Sequence, residues 1–151
     1  MQALNLPAYE MKVKEEEGRR MIFDPVRKKY VALTPEEWVR QNFLQYLIRG
    51  KKYPATLLRV EASFRIHGLS LRADILASDP QGQPLMIVEC KAPDVKITQE
   101  VFDQAARYNM KWQSPYLTVT NGISHFCSRI FIREERIEFL QDIPSYMDLR
   151  I

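Results

Sequence analysis

Cysteine is scarce in this chain, with only Cys90 and Cys127 present. Two thiols are too few for a disulfide framework and fit a reducing compartment. No Cys-x-x-Cys pair occurs and the two histidines, His67 and His125, are isolated, which argues against a zinc site. Long apolar runs are missing too. Nothing approaches the ~18 residues that would suggest a membrane span, and the N-terminus carries no signal-peptide pattern. A cytoplasmic location with no membrane partner is the resulting expectation. Charge of one sign is also absent: 22 basic against 19 acidic residues leave a net charge of +3. That favours a polyanionic partner only mildly. No Walker-type phosphate loop, helix-turn-helix or zinc-finger pattern is found, so neither ATP-driven translocation nor an evident sequence reader is expected of this polypeptide. Repeats, low-complexity stretches and interdomain linkers are missing as well. With 151 residues, 46% of them hydrophobic, one domain with a real core is expected.

What is present has a clear order. A β-rich lead-in over 1–33 holds three short candidate strands, at 9–14, 20–24 and 29–33. A helix start follows at Thr34-Pro35-Glu36-Glu37, with Thr34 as N-cap, Pro35 at the first helical position and Glu37 completing a capping box. Trp38, Val39, Phe43, Leu44, Leu47 and Ile48 supply its apolar face, and Gly50 ends it. Three strands are predicted next, over 57–66, 69–77 and 85–91. In the first, Leu58, Val60, Ala62, Phe64 and Ile66 alternate onto one face. A second helix runs over 99–112 from a cap at Thr98. Strands follow at 116–120 and, after the Asn121-Gly122 turn, at 123–130. The C-terminal extension, 126–151, takes in the end of that strand, a further strand over 132–140 and a short helix or tail over 142–151. The core, 34–125, therefore reads helix, three strands, helix, strand.

Three charged residues stand out within that order. Asp74 lies on the second core strand. Glu89 and Lys91 share one face of the third, and Cys90 takes the other. If those strands pair as a hairpin, two carboxylates and an amine gather at one sheet end. Carboxylate oxygens hold a hard cation such as Mg²⁺ or Mn²⁺. The cation and the lysine then stabilise charge on an attacked phosphodiester and on its water nucleophile. Leu85 to Val88 reads as a buried strand, where solvated charges are not expected. A capping box alone explains Glu37, Glu61 reads as a polar-face residue with the neighbouring site in reach, and Cys90 reads as a small core residue.

Helix-βββ-helix-β order with Asp74 and Glu89-Cys90-Lys91 resembles the PD-(D/E)xK nuclease superfamily. Pro35-Glu36-Glu37-Trp38-Val39-Arg40-Gln41, Val88-Glu89-Cys90-Lys91-Ala92-Pro93, Gln104-Ala105-Ala106-Arg107-Tyr108-Asn109 and Thr120-Asn121-Gly122 together resemble the N-terminal nuclease domain of type I restriction enzyme R subunits. The resemblance implies an α/β fold with a restriction-endonuclease-like αβββαβ core, a mixed central sheet flanked by helices, and extra terminal strands. It implies a Mg²⁺- or Mn²⁺-dependent DNA endonuclease. Asp74 and Glu89 would be metal ligands, with the Cys90 backbone carbonyl as a further contact. Lys91 would position the water, and Glu37, or its neighbour Glu36, would reach the metal through water. Gln104 and Tyr108 would match a Gln-x-x-x-Tyr element, on one helix face by their spacing. Ala73 departs from the family's proline. Arg40, Arg72 and Arg107 would join Gln104 and Tyr108 on the nucleic acid. DNA, helicase or methyltransferase subunits of a restriction system, and a second copy paired through an edge strand near 132–140 are the partners this implies. A nucleic-acid-binding or interaction module with little catalysis is the alternative.

Overall fold

The computed structural model describes residues 1–149. The lead-in forms a three-stranded antiparallel sheet in the order β1 (Val13–Glu16), β2 (Arg19–Asp24), β3 (Lys29–Ala32). Ile22 and Asp24 of β2 are wholly buried, so this sheet packs on the rest of the chain with one face. Helix α1 (Pro35–Gln45) begins as its cap residues dictate: Thr34 Oγ1 accepts from the Glu37 amide at 3.0 Å. The reciprocal half of the capping box is not made. Thr34's own amide donates to the Ala32 carbonyl instead, which leaves the Glu37 carboxylate for other partners. A π-helical turn, Tyr46–Gly50, continues the helix.

Six strands build the main sheet: β4 (Leu58–Ile66), β5 (Leu69–Ser78), β6 (Pro84–Cys90), β7 (Tyr116–Thr120), β8 (His125–Phe131) and β9 (Arg136–Leu140). They lie side by side in sequence order. All neighbours are antiparallel except β6 and β7, which are parallel and are bridged by α2 (Gln99–Trp112), as a parallel crossover requires. α1 buries Val39, Phe43 and Leu44 with Ile75, Met86 and Val88 on one face. α2 buries Phe102 and Trp112 with Leu71, Leu76, Ile87 and Leu117 on the other. Each such side chain contributes roughly 1.5–3 kcal/mol by leaving water. No helix among the described residues is long and apolar enough to cross a membrane.

One expectation fails informatively. Leu58 and Val60 pack on the α1 side, but Ala62 and Phe64 pack on the α2 side. β5 does the same across the gap: Leu71 and Ala73 face α2, whereas Ile75 and Ala77 face α1. Both strands switch faces at Glu61 and Asp74. Glu61 has φ +51°, a left-handed conformation that a non-glycine residue rarely adopts inside a strand. The last strand is shorter than expected, because 132–135 turns before β9 begins. The segment 142–151, expected as a short helix or tail, holds a single 3-10 turn, Tyr146–Asp148, and its residues 150–151 lie outside the described residues.

Candidate active site

The ladder between β5 and β6 runs from Ser78–Pro84 to Ile75–Val88 and stops there. Beyond it the strands part, and Asp74 fills the gap by accepting the Cys90 amide on Oδ2 at 2.8 Å. A side-chain bond thus replaces a ladder bond, while Oδ1 faces Arg40 Nη2 at 3.4 Å. Glu89 and Lys91 follow on the same edge, with Lys91 Nζ 3.5 Å from Glu89 Oε1 and both side chains about one-third exposed. Asp74, Glu89 and Lys91 line one cleft of about 400 Å³. Its floor is Ala73, Ile87 and Leu117, and its far wall is the α2 face carrying Gln104, Ala105 and Tyr108.

Gln104 is exposed on that wall. The Tyr108 hydroxyl accepts the Arg72 amide at 2.8 Å, which ties α2 to β5 and leaves the phenolic proton free to donate. Arg72 is exposed and lines the cleft, whereas Arg107 is exposed but is not among the cleft-lining residues.

Arg40, expected on an exposed basic rim, is instead buried, with 4% of its surface accessible. Four carboxylates draw it inward. Nη1 lies 2.9 Å from Glu61 and 3.3 Å from Glu37, and Nη2 lies 3.2 Å from Glu36 and 3.4 Å from Asp74 Oδ1. Glu37, expected to reach a metal through water, is turned away from the cleft. Its carboxylate takes Arg27 and Gln41 at 3.0 Å as well as Arg40. The first-helix acid that does line the cleft is Glu36, joined by Glu61. Arg27 closes the network from the lead-in, bonding Asp24, Glu37 and Glu61. Asp24 and Arg27 are the members with no motif to announce them; the buried polarity of a short strand ending in Asp was the available signal.

Burial raises the Asp74 carboxyl above its usual range against the opposing pull of the Cys90 amide and Arg40. Burial likewise raises Glu89, and the charge of Asp74 adds to that. Glu61 goes the other way, lowered by its bond to Arg40. Cys90 is fully buried and its thiol is pushed far up by desolvation, which suits a core residue rather than a nucleophile. The acids whose cation contacts are longest are Asp74, 3.4 Å from Arg40, and Glu89, 3.5 Å from Lys91. Their hard oxygen donors fit Mg²⁺ or Mn²⁺ in chemistry. Among the described residues, however, no three His, Cys, Asp or Glu side chains are already gathered as a preformed metal site.

Residues 35–144 match the family described as type I restriction enzyme R protein N terminus (HSDR_N). Among solved structures, one described as an HsdR subunit fragment of a type I restriction enzyme from Vibrio vulnificus YJ016 matches with a TM-score of 0.57 at 18% sequence identity. The match covers 78% of this chain and 24% of that one, so the chain spans about a quarter of that structure, and at that identity the likeness speaks to fold alone. No curated protein matches the chain.

Proposed function

The chain belongs to the family of type I restriction enzyme R protein N termini, and from that premise we propose that it is a Mg²⁺- or Mn²⁺-dependent deoxyribonuclease domain of the PD-(D/E)xK kind. One observation carries the reading: Asp74, Glu89 and Lys91 share a cleft whose opposite wall presents Gln104 and Tyr108. Asp74 and Glu89 would hold the ion. When bound, a divalent cation there polarises the phosphodiester and makes a water acidic enough to attack at neutral pH.

The remaining roles belong to the chain. Lys91 Nζ sits beside Glu89 at the cleft mouth, where an ammonium orients a water and stabilises charge growing on phosphate oxygens. Gln104 offers an amide to the DNA backbone, and the Arg72 guanidinium offers a forked donor matched to phosphate. Tyr108 fixes the Arg72 backbone, so that cation is presented from an anchored strand. Ala73, Ile87 and Leu117 supply the cleft's apolar floor. DNA is the substrate in this reading, and partners that translocate or methylate DNA belong with the family's restriction context.

A gel assay of plasmid, linear and single-stranded DNA with Mg²⁺ or Mn²⁺ tests it. Cleavage that requires the ion and disappears in Lys91→Ala is the expected result. A second reading, a nucleic-acid-binding module with little catalysis, is favoured by Arg40 already occupying Asp74 Oδ1 at 3.4 Å. Persistent DNA binding without ion-dependent cleavage would decide for it.

A further inference from the structure

We infer that Arg40 is the cleft's resident counter-cation: a positioning residue that holds Glu36, Glu61 and Asp74 together and competes with a divalent ion for Asp74 Oδ1. This rests on the metal-binding reading above. An ordinary structural arginine pairs bidentately with one carboxylate and uses its remaining donors nearby. Arg40 instead makes one contact to each of four carboxylates, from three elements: α1 (Glu36, Glu37), β4 (Glu61) and β5 (Asp74). Its buried Nε donates to nothing among the described residues. The longest of the four contacts, 3.4 Å, is the one to Asp74, and the shortest, 2.9 Å, is the one to Glu61. Such a guanidinium is held by the cluster as a whole rather than by Asp74.

Glu61 is the anchor on the far side. It is held in the left-handed conformation across from Asp74 and receives a second cation from Arg27 at 3.2 Å. Ion binding at Asp74 and Glu89 then requires Arg40 to give up Oδ1 and keep Glu61, Glu37 and Glu36. Arg40 would therefore set how tightly the cleft takes a divalent cation and keep the acids assembled without one.

Calorimetric titration with MnCl₂ and thermal melting, both on the whole chain, test this with Arg40→Gln, Arg40→Lys and Asp74→Asn beside the wild type. Without metal, Arg40→Gln melts below the wild type. It binds Mn²⁺ about tenfold more tightly or better, because a like charge a few ångströms away has been removed, and Mn²⁺ restores more of its melting temperature than the wild type gains. Arg40→Lys keeps the charge and stays near wild-type affinity, and Asp74→Asn loses binding. A folded Arg40→Gln with unchanged or weaker Mn²⁺ affinity overturns the inference while leaving the metal site standing. If Arg40→Gln does not fold, Glu61→Gln serves, since Glu61 is half exposed. Freed from its closest partner, Arg40 moves onto Asp74 and Mn²⁺ binding weakens; unchanged affinity overturns the inference. A wild-type chain that binds no Mn²⁺ at all overturns the metal reading itself.

Discussion

Asp24→Ala removes the post on which the lead-in is fixed to the buried network of Arg27, Glu37 and Gln41. Asp24 is wholly buried and accepts four bonds: the Val26 amide at 2.8 Å, the Arg27 amide at 2.9 Å, Arg27 Nε at 2.6 Å and Gln41 Nε2 at 2.9 Å. Deleting one partner of a buried pair costs about 3–5 kcal/mol, because the other charge stays behind uncompensated. Arg27 keeps Glu37 and Glu61 and is partly open to water, which moves the expectation to the lower end, about 3 kcal/mol. Asp24→Asn preserves one acceptor oxygen but loses the charge, and about 1.5–2 kcal/mol is expected by the usual worth of a bond to a charged group. Urea unfolding at pH 7 and at several acid pH values measures both. Burial raises the Asp24 carboxyl, but the Arg27 and Gln41 bonds outweigh it, so its folded pKa lies below the ordinary 3.8. A depressed acid contributes stability that is present above 3.8 and lost as pH falls through the folded value. The gap between wild type and Asp24→Asn must therefore narrow below pH 3.8 and stay constant above it. A loss under about 1 kcal/mol for Asp24→Ala, or a gap that widens in acid, refutes the reasoning.

Glu89→Gln should raise the melting temperature at neutral pH. The folded pKa of Glu89 is raised by burial and by Asp74, so the carboxylate costs stability that builds as pH rises from 4.5 through the folded value and is complete above it, and the advantage of Gln should vanish in melts run below pH 4.5. Lys91→Ala should abolish ion-dependent DNA cleavage while shifting urea stability by less than about 1 kcal/mol, since its pair with Glu89 is partly exposed. Tyr108→Phe strips the Arg72 amide of its acceptor, which should cost about 1 kcal/mol and slow cleavage in the gel assay without abolishing it. Gly122→Ala should destabilise by about 1–3 kcal/mol, because Gly122 sits at φ +86° and a Cβ there would lie 2.8 Å from Leu4 Cδ2; a melt equal to wild type would contradict it.

Where residue chemistry is local, the fold can be read from the sequence. Thr98 and the apolar spacing behind it mark α2 at Gln99–Trp112, because its cap accepts the Val101 amide as a helix start requires. Tyr116–Thr120 is bounded by Pro115 and Asn121-Gly122 and emerges with those limits. The sheet order follows from short antiparallel turns and one helical crossover. What cannot be read is the fate of side chains with two competing partners. Glu37 has the spacing of a capping box, yet the Ala32 carbonyl takes the Thr34 amide first, and Arg27, from the turn before β3, claims the free carboxylate. Arg40 resembles a surface arginine until acids from three elements meet around it.

Asp74 illustrates why a site is harder to read than the fold that carries it. Strand alternation predicts that Ala73 and Ile75 share a face and Asp74 takes the other. The two neighbours instead pack against different helices, so the period of two breaks at the charged residue between them. The break has a cause in the adjacent strand, where Glu61 leaves the β region. It also has a consequence at β6, where the ladder ends and a carboxylate oxygen substitutes for a backbone acceptor on Cys90. A regular sheet would bury Asp74 against one helix or expose it to water, and neither arrangement assembles acids from α1, β4, β5 and β6 around one opening. The irregularity costs regular hydrogen bonding and backbone comfort, and Arg40 offsets the charge it concentrates. Cleft and strain are therefore one feature of this chain: restoring the β conformation at position 61 would be expected to straighten β4, close the gap beside Asp74 and dismantle the site while leaving both cores to fold.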